Sequence, residues 1–121
     1  MPGKFCVSIT SSRENPDKAT VGFVVANAAL GSDKETMVFL STDGVWAAAQ
    51  GEAETLAIGA PFAPPAELMT KFVAAGGRIL VCNPCMKKRG IEESQLVPGA
   101  TPAGGAALVD FLSQGAACVT Y

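Results

Sequence analysis

The stretch of sequence that decides the fold is RILVCNPCMKKRGI, residues 78–91. Its apolar first half follows two glycines and is typical of a parallel strand that is buried on both faces. Pro84 suits the first position of a helix, and the residue before it, Asn83, is a favourable N-cap. The sequence therefore predicts a buried strand that passes directly into a helix, with the thiols of Cys82 and Cys85 at the junction.

A thiol at the start of a helix is well placed to be reactive. The unpaired backbone N–H groups and the dipole there favour an anion, which lowers a thiol pKa from about 8.5 towards the range of reactive cysteines. The chain contains no histidine, so a Cys–His pair is excluded and a thiolate depends on backbone groups or a nearby cation. Of the basic residues that follow, we assign this role to Lys88, whereas Lys87 fits a solvated helix end.

Length and charge exclude several classes of protein. The chain has 121 residues, with nine basic and eleven acidic side chains and a net charge of −2. This length predicts one domain over residues 1–121 that folds without disulfides, and the lack of a cationic excess argues against a nucleic-acid partner. No stretch has the features of a signal peptide or a membrane span, so we expect a cytoplasmic protein with reduced thiols and no membrane partner.

The chain before the central stretch alternates strand and helix. A strand at 5–9 leads to a helix that Asn15-Pro16 begins and Gly31 ends, and a second strand follows at 37–40. The helix carries a stripe of apolar residues that we expect to face the core, namely Val21, Val24, Val25 and Ala28. From 47 to 63 the pattern weakens, which predicts at most a short helix and a mobile loop acting as a lid or an interface.

The same alternation continues on the other side. A helix begins at Pro64-Pro65 and ends at Gly76, and after the central stretch a short strand is predicted at 95–97. Thr101-Pro102 then caps a helix that turns Leu108, Phe111 and Leu112 to the core, and a last strand runs over 117–121. Regular alternation of this kind predicts an α/β fold, a parallel sheet with helices on both faces.

Ligands of such sheets bind beyond the carboxyl ends of the strands. Besides the two thiols, the strand ends carry polar and aromatic side chains that we assign to substrate binding, together with Lys88. They are Ser11, Ser12, Thr42, Asp43 and Trp46. Asp43-Gly44 is equally typical of a simple turn, and a tryptophan more often packs than binds.

The Cys-x-x-Cys pair has two other common roles in proteins, a zinc site and a redox dithiol. Structural zinc needs four ligands, whereas this chain offers one such pair and no histidine, and Cys6 and Cys118 lie in apolar strands where they resemble small core residues. We therefore expect no metal and no cofactor. A dithiol of the thioredoxin type is the stronger alternative, since Cys-x-x-Cys near a βαβ pattern is typical of redox proteins.

Four short motifs in order resemble a known family. They are STDGV at 41–45, AAGGRILVC at 74–82, KKRGI at 87–91 and LVPGA at 96–100. Together they are similar to the DsrE/DsrF-like proteins, relatives of the sulfur-relay subunits TusB, TusC and TusD. The resemblance implies a three-layer α/β/α sandwich with a five-stranded parallel sheet, assembly as a homotrimer or homohexamer, and sulfur carried as a persulfide between donor and acceptor proteins.

The resemblance also implies which cysteine carries the sulfur. The family's cysteine precedes an arginine-glycine step by the spacing that Cys82 has to Arg89-Gly90, so Cys82 is the sulfur carrier. Cys85 departs from the single thiol of the relay subunits. A neighbouring thiolate can attack a persulfide, release sulfide and leave a disulfide, so Cys85 is expected to be a resolving thiol. Three functions stay open: a sulfur carrier, a dithiol oxidoreductase, and a small-ligand-binding module of the same fold.

Overall fold

The computed structural model describes residues 3–121, and its strands form one all-parallel sheet in the order β4-β3-β2-β1-β5. The strands are β1 Lys4–Ile9, β2 Glu35–Leu40, β3 Arg78–Cys82, β4 Ala100–Ala103 and β5 Ala117–Thr120. The α-helices are α1 Pro16–Gly31, α2 Pro65–Ala74, α3 Asn83–Lys88 and α4 Gly105–Ser113. Short 3₁₀ helices span Thr42–Ala48, Ala53–Thr55 and Glu93–Gln95. The predicted α/β class and the parallel five-stranded sheet are confirmed.

Helices cover the two faces of the sheet unequally. Along each strand successive side chains point to opposite faces, and one face packs against α1 and α2 in a large core. Its strand residues are Val7, Ile9, Val38, Leu40, Ile79 and Val81. The other face packs against α4 through a small cluster of Cys6, Met37 and Phe111, with Leu80, Leu108 and Leu112 around it. The inward orientation predicted for the apolar residues of α4 is confirmed.

The connections after β3 and β4 diverge, and this creates an opening at the carboxyl end of the sheet. β3 continues into α3, whose buried Met86 belongs to the same core as α1 and α2. β4 continues into α4 on the opposite face. In parallel sheets the crevice between two such strands is where ligands bind. Cys82, the last residue of β3, pairs with Ala103 of β4 at this point.

The predicted inner face of α1 is wrong. The helix buries Ala19, Phe23 and Ala26, while Val24 is 36% exposed. The physical reason is a close approach to the sheet at Gly22, where an added Cβ would lie 2.7 Å from Cδ1 of Ile9. Small residues are therefore required on the inner face, and the valines lie towards the outside. The predicted start is confirmed, because the Asn15 side chain accepts a hydrogen bond from the Lys18 N–H at 3.2 Å.

The strand predicted at 95–97 and the helix cap predicted at Thr101-Pro102 are both wrong. Residues 95–97 are not a strand of the sheet: a 3₁₀ helix ends at Gln95, and Leu96 makes one isolated antiparallel bridge with Ala49. The fourth strand lies later, over Ala100–Ala103, so Thr101-Pro102 is strand and the N-cap of α4 is Gly104. A proline is tolerated here because β4 is an edge strand with one neighbour, and its missing N–H faces away from the ladder.

The segment after β2 is more ordered than its sequence predicts. Its two 3₁₀ helices bury Val45, Ala47, Ala48 and Ala53 in the core, and Leu56 is only 2% exposed. The following residues are more open, and Phe62 is 39% exposed. Within residues 3–121 no helix combines the length and the apolar character that crossing a membrane requires.

Candidate functional site

Cys82 and Cys85 lie at the junction of β3 and α3, as the sequence predicts, but the junction begins one residue earlier. Cys82 itself is the N-cap, and Asn83 is the first helical residue rather than the cap. The proline at 84 accordingly occupies the second position of the first turn. Both thiols are half-buried and pack against the large core.

The pKa of the Cys82 thiol is higher than its position at a helix start predicts. Burial raises its pKa, and contact with the side chain of Cys85 raises it further. The backbone N–H of Cys85 and the charge of Arg89 act in the opposite direction and do not outweigh burial. The prediction that the helix start lowers the pKa of this thiol is therefore wrong for Cys82. α3 has only six residues, so few peptide dipoles add up at its N-terminus.

Thr42 approaches the pair from the neighbouring strand through its backbone. Its N–H donates to Sγ of Cys85 at 3.2 Å. To point this way Thr42 adopts a φ of 50°, in the left-handed region. That conformation costs a β-branched residue on the order of 1–3 kcal/mol and persists only where the surroundings impose it. The Thr42 hydroxyl helps to impose it, lying 2.8 Å from the Thr10 carbonyl oxygen and 2.7 Å from that of Ser41.

An ion pair joins the same loop to α3. Asp43 accepts from Arg89, with Oδ1 at 3.0 Å from Nε and 2.9 Å from Nη2. Nη1 of Arg89 also donates to the carbonyl oxygen of Cys85 at 3.2 Å. The Arg89 side chain is only 16% exposed, whereas that of Asp43 is 47% exposed, so the pair is shielded from solvent on the arginine side alone. The loop that carries Thr42 and the turn that carries Cys85 are thus held together.

Gly44 lets this loop fold back over the end of β1. A Cβ at this position would collide with the carbonyl oxygen of Ile9, so only glycine fits without a backbone shift. The Gly44 N–H lies 3.1 Å from the Thr10 carbonyl oxygen and 2.9 Å from that of Ser41. We call residues 41–44 the β2 loop. Asp43-Gly44 is therefore a turn whose aspartate also forms a specific ion pair.

Trp46 and Arg13 form a second contact at this edge of the sheet. The guanidinium carbon of Arg13 lies 4.0 Å from the centre of the Trp46 ring, a cation–π distance. The same arginine pairs with Glu52 at 2.6 Å. Trp46 thereby joins the ends of β1 and β2, and its predicted role in a substrate pocket stays a prediction.

The remaining predicted binding residues lie in different surroundings. Ser11 is 6% exposed and Ser12 is fully buried. The Ser12 N–H donates to Glu14 at 2.7 Å, while its hydroxyl has no hydrogen-bond partner among the described residues. Lys88 is exposed at the end of α3. A substrate role for these three residues stays a prediction.

The structure thus gathers Cys82, Cys85, Thr42 and Asp43, and it adds Arg89 in place of Lys88 as the cation next to the pair. Sequence reasoning named Thr42 for its side chain, whereas its contact with the thiol is made by the backbone. The signal that marks Arg89 is its spacing of four residues from Cys85, which places it one helical turn further on.

The other two cysteines form a separate pair between neighbouring strands. Cys6 of β1 is opposite Cys118 of β5 in the parallel ladder. Burial, with a smaller effect of Cys118, raises the pKa of Cys6 to about 12. Cys6 is therefore a core residue, as predicted, whereas Cys118 is exposed and its predicted burial is wrong. Within residues 3–121 no three side chains of His, Cys, Asp or Glu lie where they could share a metal ion.

A cavity of about 440 Å³ lies away from the thiols. It opens between α2 and the turn before β4, and Met69, Val73, Ile79 and Val97 are among its lining residues. Ile79 is near the start of β3 and Cys82 is its last residue, so the cavity faces a different part of the sheet.

Comparisons with known proteins give relatives over nearly the whole chain. MJ0989 of Methanocaldococcus jannaschii, an uncharacterised protein, is 30% identical over 120 residues, covering 98% of this chain and 99% of that protein. MJ0760 of the same organism, also uncharacterised, is 30% identical over 105 residues, which are 87% of this chain. The chain spans only 38% of the length of MJ0760.

Two solved structures share the fold. The YchN protein of E. coli has a TM-score of 0.71 at 15% identity, covering 98% of this chain and 99% of that one. MTH1491 of Methanobacterium thermoautotrophicum, a protein of unknown function, has a TM-score of 0.70 at 15% identity with the same coverage. At this identity the likeness concerns the fold alone.

A model of one protein family matches residues 3–121, and its description is the DsrE/DsrF-like family. The match covers all the residues that the structure describes. The chain belongs to the DsrE/DsrF-like family.

Proposed function

We propose that this protein is a sulfur-relay protein that accepts sulfane sulfur as a persulfide on Cys82 and passes it on, with Cys85 as the resolving thiol. The observation that carries the proposal is the thiol pair itself. It lies at the carboxyl end of β3, where the connections of β3 and β4 diverge, and the β2 loop contacts it through Thr42. The family is generally linked to sulfur relay, which supports this assignment over other thiol chemistry.

Loading is a displacement at sulfur. The Cys82 thiolate attacks the outer sulfur of a donor persulfide, a bond forms between Sγ and that sulfur, and the donor S–S bond breaks. The electron pair of the broken bond leaves on the donor thiolate, so no external oxidant is required. A thiolate of the acceptor can attack the same outer sulfur later and restore Cys82.

Cys85 provides a second way to discharge the sulfur. Its thiolate can attack Sγ of the Cys82 persulfide, which releases hydrosulfide and leaves a Cys82–Cys85 disulfide. That disulfide must be reduced by two electrons from a cellular dithiol before the next cycle. Cys85 therefore limits how long the sulfur is stored.

The partners of this chemistry are a sulfur donor protein and a sulfur acceptor protein. The cytoplasm suits both, because thiols stay reduced there. We further propose a homotrimer or homohexamer, on the likeness to relay subunits and on the apolar residues that the monomer leaves exposed, such as Val109 at 64% exposure.

A dithiol oxidoreductase is the second candidate function. The observation that favours it is the contact between the two thiols, which is close enough for Cys85 to affect the pKa of Cys82. Such a protein would cycle between dithiol and disulfide and would exchange electrons rather than sulfur.

Intact mass spectrometry after incubation with a small-molecule persulfide donor separates the two. A relay protein gains the mass of one sulfur atom, and the gain disappears in Cys82→Ser. Cys118→Ser, which removes an exposed thiol away from the site, serves as the matched control and retains the gain. Cys85→Ser cannot discharge the sulfur through a disulfide and should hold the gain longest. A Cys85→Ser variant that gains no sulfur, or a Cys82→Ser variant that still gains it, would overturn the proposed function.

A further inference from the structure

The backbone of Thr42 has an unusual conformation. Asp33 and Thr42 are the two non-glycine residues with positive φ in the described chain. An aspartate tolerates the left-handed region, whereas a β-branched threonine does not. An outlier of this kind, next to a candidate reactive group, indicates a function for the group it positions. The group that Thr42 positions is its own N–H, 3.2 Å from Sγ of Cys85.

Contacts on both sides fix this N–H against the sulfur. The hydroxyl of Thr42 is tied to the carbonyl oxygens of Thr10 and Ser41. Asp43, the next residue, pairs with Arg89, and Arg89 also binds the carbonyl oxygen of Cys85. Arg89 therefore holds the loop that carries the Thr42 N–H next to the turn that carries Sγ of Cys85.

The sulfur atoms of Cys82 and Cys85 have different surroundings, and the difference determines which of them holds a negative charge more readily. A backbone N–H that points at a sulfur favours its anionic form. Both sulfurs have a backbone N–H donor: Thr42 provides the one at Cys85, and Cys85 provides the one at Cys82. At Cys82, burial and the contact with the Cys85 side chain outweigh that donor and raise the pKa. The charged groups next to the pair are Arg89 and Asp43, which bind each other, and Lys88 is exposed at the end of α3.

We propose that Cys85 carries the negative charge of the resting thiol pair, on a site built by the Thr42 N–H and held by the Asp43–Arg89 pair, and that this thiolate is the base that activates Cys82. The chain has no histidine to take that proton. The proton step rests on the sulfur relay proposed above, whereas the position of the charge does not.

The step balances without another reactant. A donor persulfide R–S–SH, the Cys82 thiol and the Cys85 thiolate give R–S⁻, the Cys82 persulfide and the Cys85 thiol. The Cys82 proton passes to Cys85, the bond between Cys82 Sγ and sulfur forms, and the donor S–S bond breaks with its electron pair on R–S⁻. Because Cys85 is then protonated, it attacks the new persulfide only after it loses that proton again.

The position of the charge is tested without any sulfur donor, in the Cys118→Ser background. The ultraviolet absorbance of the thiolate at neutral pH should remain in Cys82→Ser and be lost in Cys85→Ser. Limited alkylation with iodoacetamide, followed by peptide mass spectrometry, should modify Cys85 before Cys82. The reverse result in either measurement overturns the proposal.

The role of the β2 loop is tested by the same alkylation. Thr42→Pro has no N–H and cannot adopt the φ of 50°, so the donor is removed and the loop conformation also changes. We expect the alkylation rate of Cys85 at neutral pH to fall at least roughly tenfold, the effect of a lost hydrogen bond to a charged group. Thr42→Gly keeps the N–H and should lie closer to the parent. Asp43→Asn, which weakens the contact with Arg89, should also slow Cys85, whereas Glu67→Gln on the exposed side of α2 should not. Equal rates in Asp43→Asn and Glu67→Gln overturn the loop's role even if Thr42→Pro fails to fold.

Sulfur loading at different pH values then tests the proton step. Burial, the main reason why Cys82 stays protonated, persists in Cys85→Ser, so this variant should load sulfur more slowly at neutral pH and recover as the pH rises. Loading as fast as the parent overturns the base. If no variant and no parent loads sulfur, the relay function fails, and the absorbance and alkylation results still decide the position of the charge.

Discussion

At the scale of single residues, the two cysteine pairs of this chain differ in what surrounds them. Cys82 and Cys85 are half-buried at the end of a strand, next to a loop that offers an N–H and an arginine. Cys6 is enclosed in the sheet and keeps its proton to about pH 12. Because the thiolate is the reactive form, Cys6 is inert under ordinary conditions, whereas Cys118 is an exposed thiol without such a site around it.

The buried thiol of Cys6 predicts a loss of stability in alkali. Its pKa rises from 9.0 in the unfolded chain to about 12 in the fold. Its contribution is fully present below about pH 9 and is lost as the pH rises towards about 12, since only the unfolded state has released the proton there. The free energy of unfolding should fall by up to about 1.4 kcal/mol per pH unit from this group.

Urea unfolding of the parent and of Cys6→Ala, across that alkaline range, isolates this effect because the other titrating groups are common to both. Cys6→Ala should show the shallower pH dependence. Cys118→Ala should keep most of the parent's dependence, because burial is the larger cause of the shift. Identical pH profiles for the parent and Cys6→Ala would show that Cys6 ionises freely in the fold.

The sequence predicts those residues of the candidate site that contribute a side chain of recognisable chemistry, and it does not predict contributions made by the backbone. Cys82, Cys85 and Asp43 stood out by type and position, and the structure brings them together. The left-handed backbone of Thr42 was not predictable, because threonine disfavours it and only tertiary contacts impose it. Arg89 was one of three consecutive cations, and the sequence does not show that its side chain folds back to Asp43 while Lys88 stays exposed.

At the scale of elements, the β2 loop joins the functional site to the core. Gly44 anchors it, because its N–H lies within hydrogen-bond distance of the carbonyl oxygens of Thr10 and Ser41 and its Cα lies against β1. The loop then continues into the 3₁₀ helix whose Val45, Ala47 and Ala48 are buried. A shift at Gly44 is therefore transmitted to Thr42 and Asp43 on one side and to the core on the other.

We predict that Gly44→Ala lowers the free energy of unfolding by roughly 1–3 kcal/mol, the usual cost of forcing atoms into a filled space. It should also slow the alkylation of Cys85, because the loop must move away from β1. Gly31→Ala is the matched control, since a Cβ there meets nothing within 4 Å. Urea unfolding and alkylation rates measure both effects. A Gly44→Ala protein as stable as Gly31→Ala would show that the loop accommodates the methyl group.

The elements that sequence reasoning misplaced share a physical cause. The outer valines of α1 form a regular stripe, yet the close approach at Gly22 admits only small residues and Phe23 on the inner side. The strand β4 contains Pro102, which argues against a strand unless the strand is known to be at an edge. Strand order is a tertiary property, so neither result follows from local pattern.

At the scale of the whole molecule, one edge of the sheet is left uncovered. β5 pairs only with β1, and all four of its residues are exposed, including Val119. Val109 on α4 is 64% exposed. Open strand edges and exposed apolar side chains are both features that proteins normally cover.

We predict that the protein is a homo-oligomer that buries this surface. Light scattering at micromolar concentration should give the mass of several chains, and Val109→Lys should lower it towards that of one chain by placing a charge in the contact. Glu67→Lys on the exposed side of α2 is the control and should leave the mass unchanged. A parent protein that is monomeric at this concentration would contradict the prediction.

The overall architecture was the most predictable level. Alternating strands and helices indicated the parallel sheet, and the order of the motifs indicated the family, because both signals extend over the whole chain. The same sheet places Cys82 where the connections of β3 and β4 diverge, and this position supports the proposed relay function.

The central claim is that sulfur enters on Cys82 and can leave through Cys85, and its most direct test is the discharge of a loaded protein. The parent and Cys85→Ser are loaded with isotopically labelled persulfide, the donor is removed, and the released sulfide and the Cys82–Cys85 disulfide are followed together over time. We predict that the parent releases one labelled sulfide for each disulfide formed, while Cys85→Ser keeps its label on Cys82. Loss of the label from Cys85→Ser as fast as from the parent, or sulfide release without a disulfide, would contradict the account.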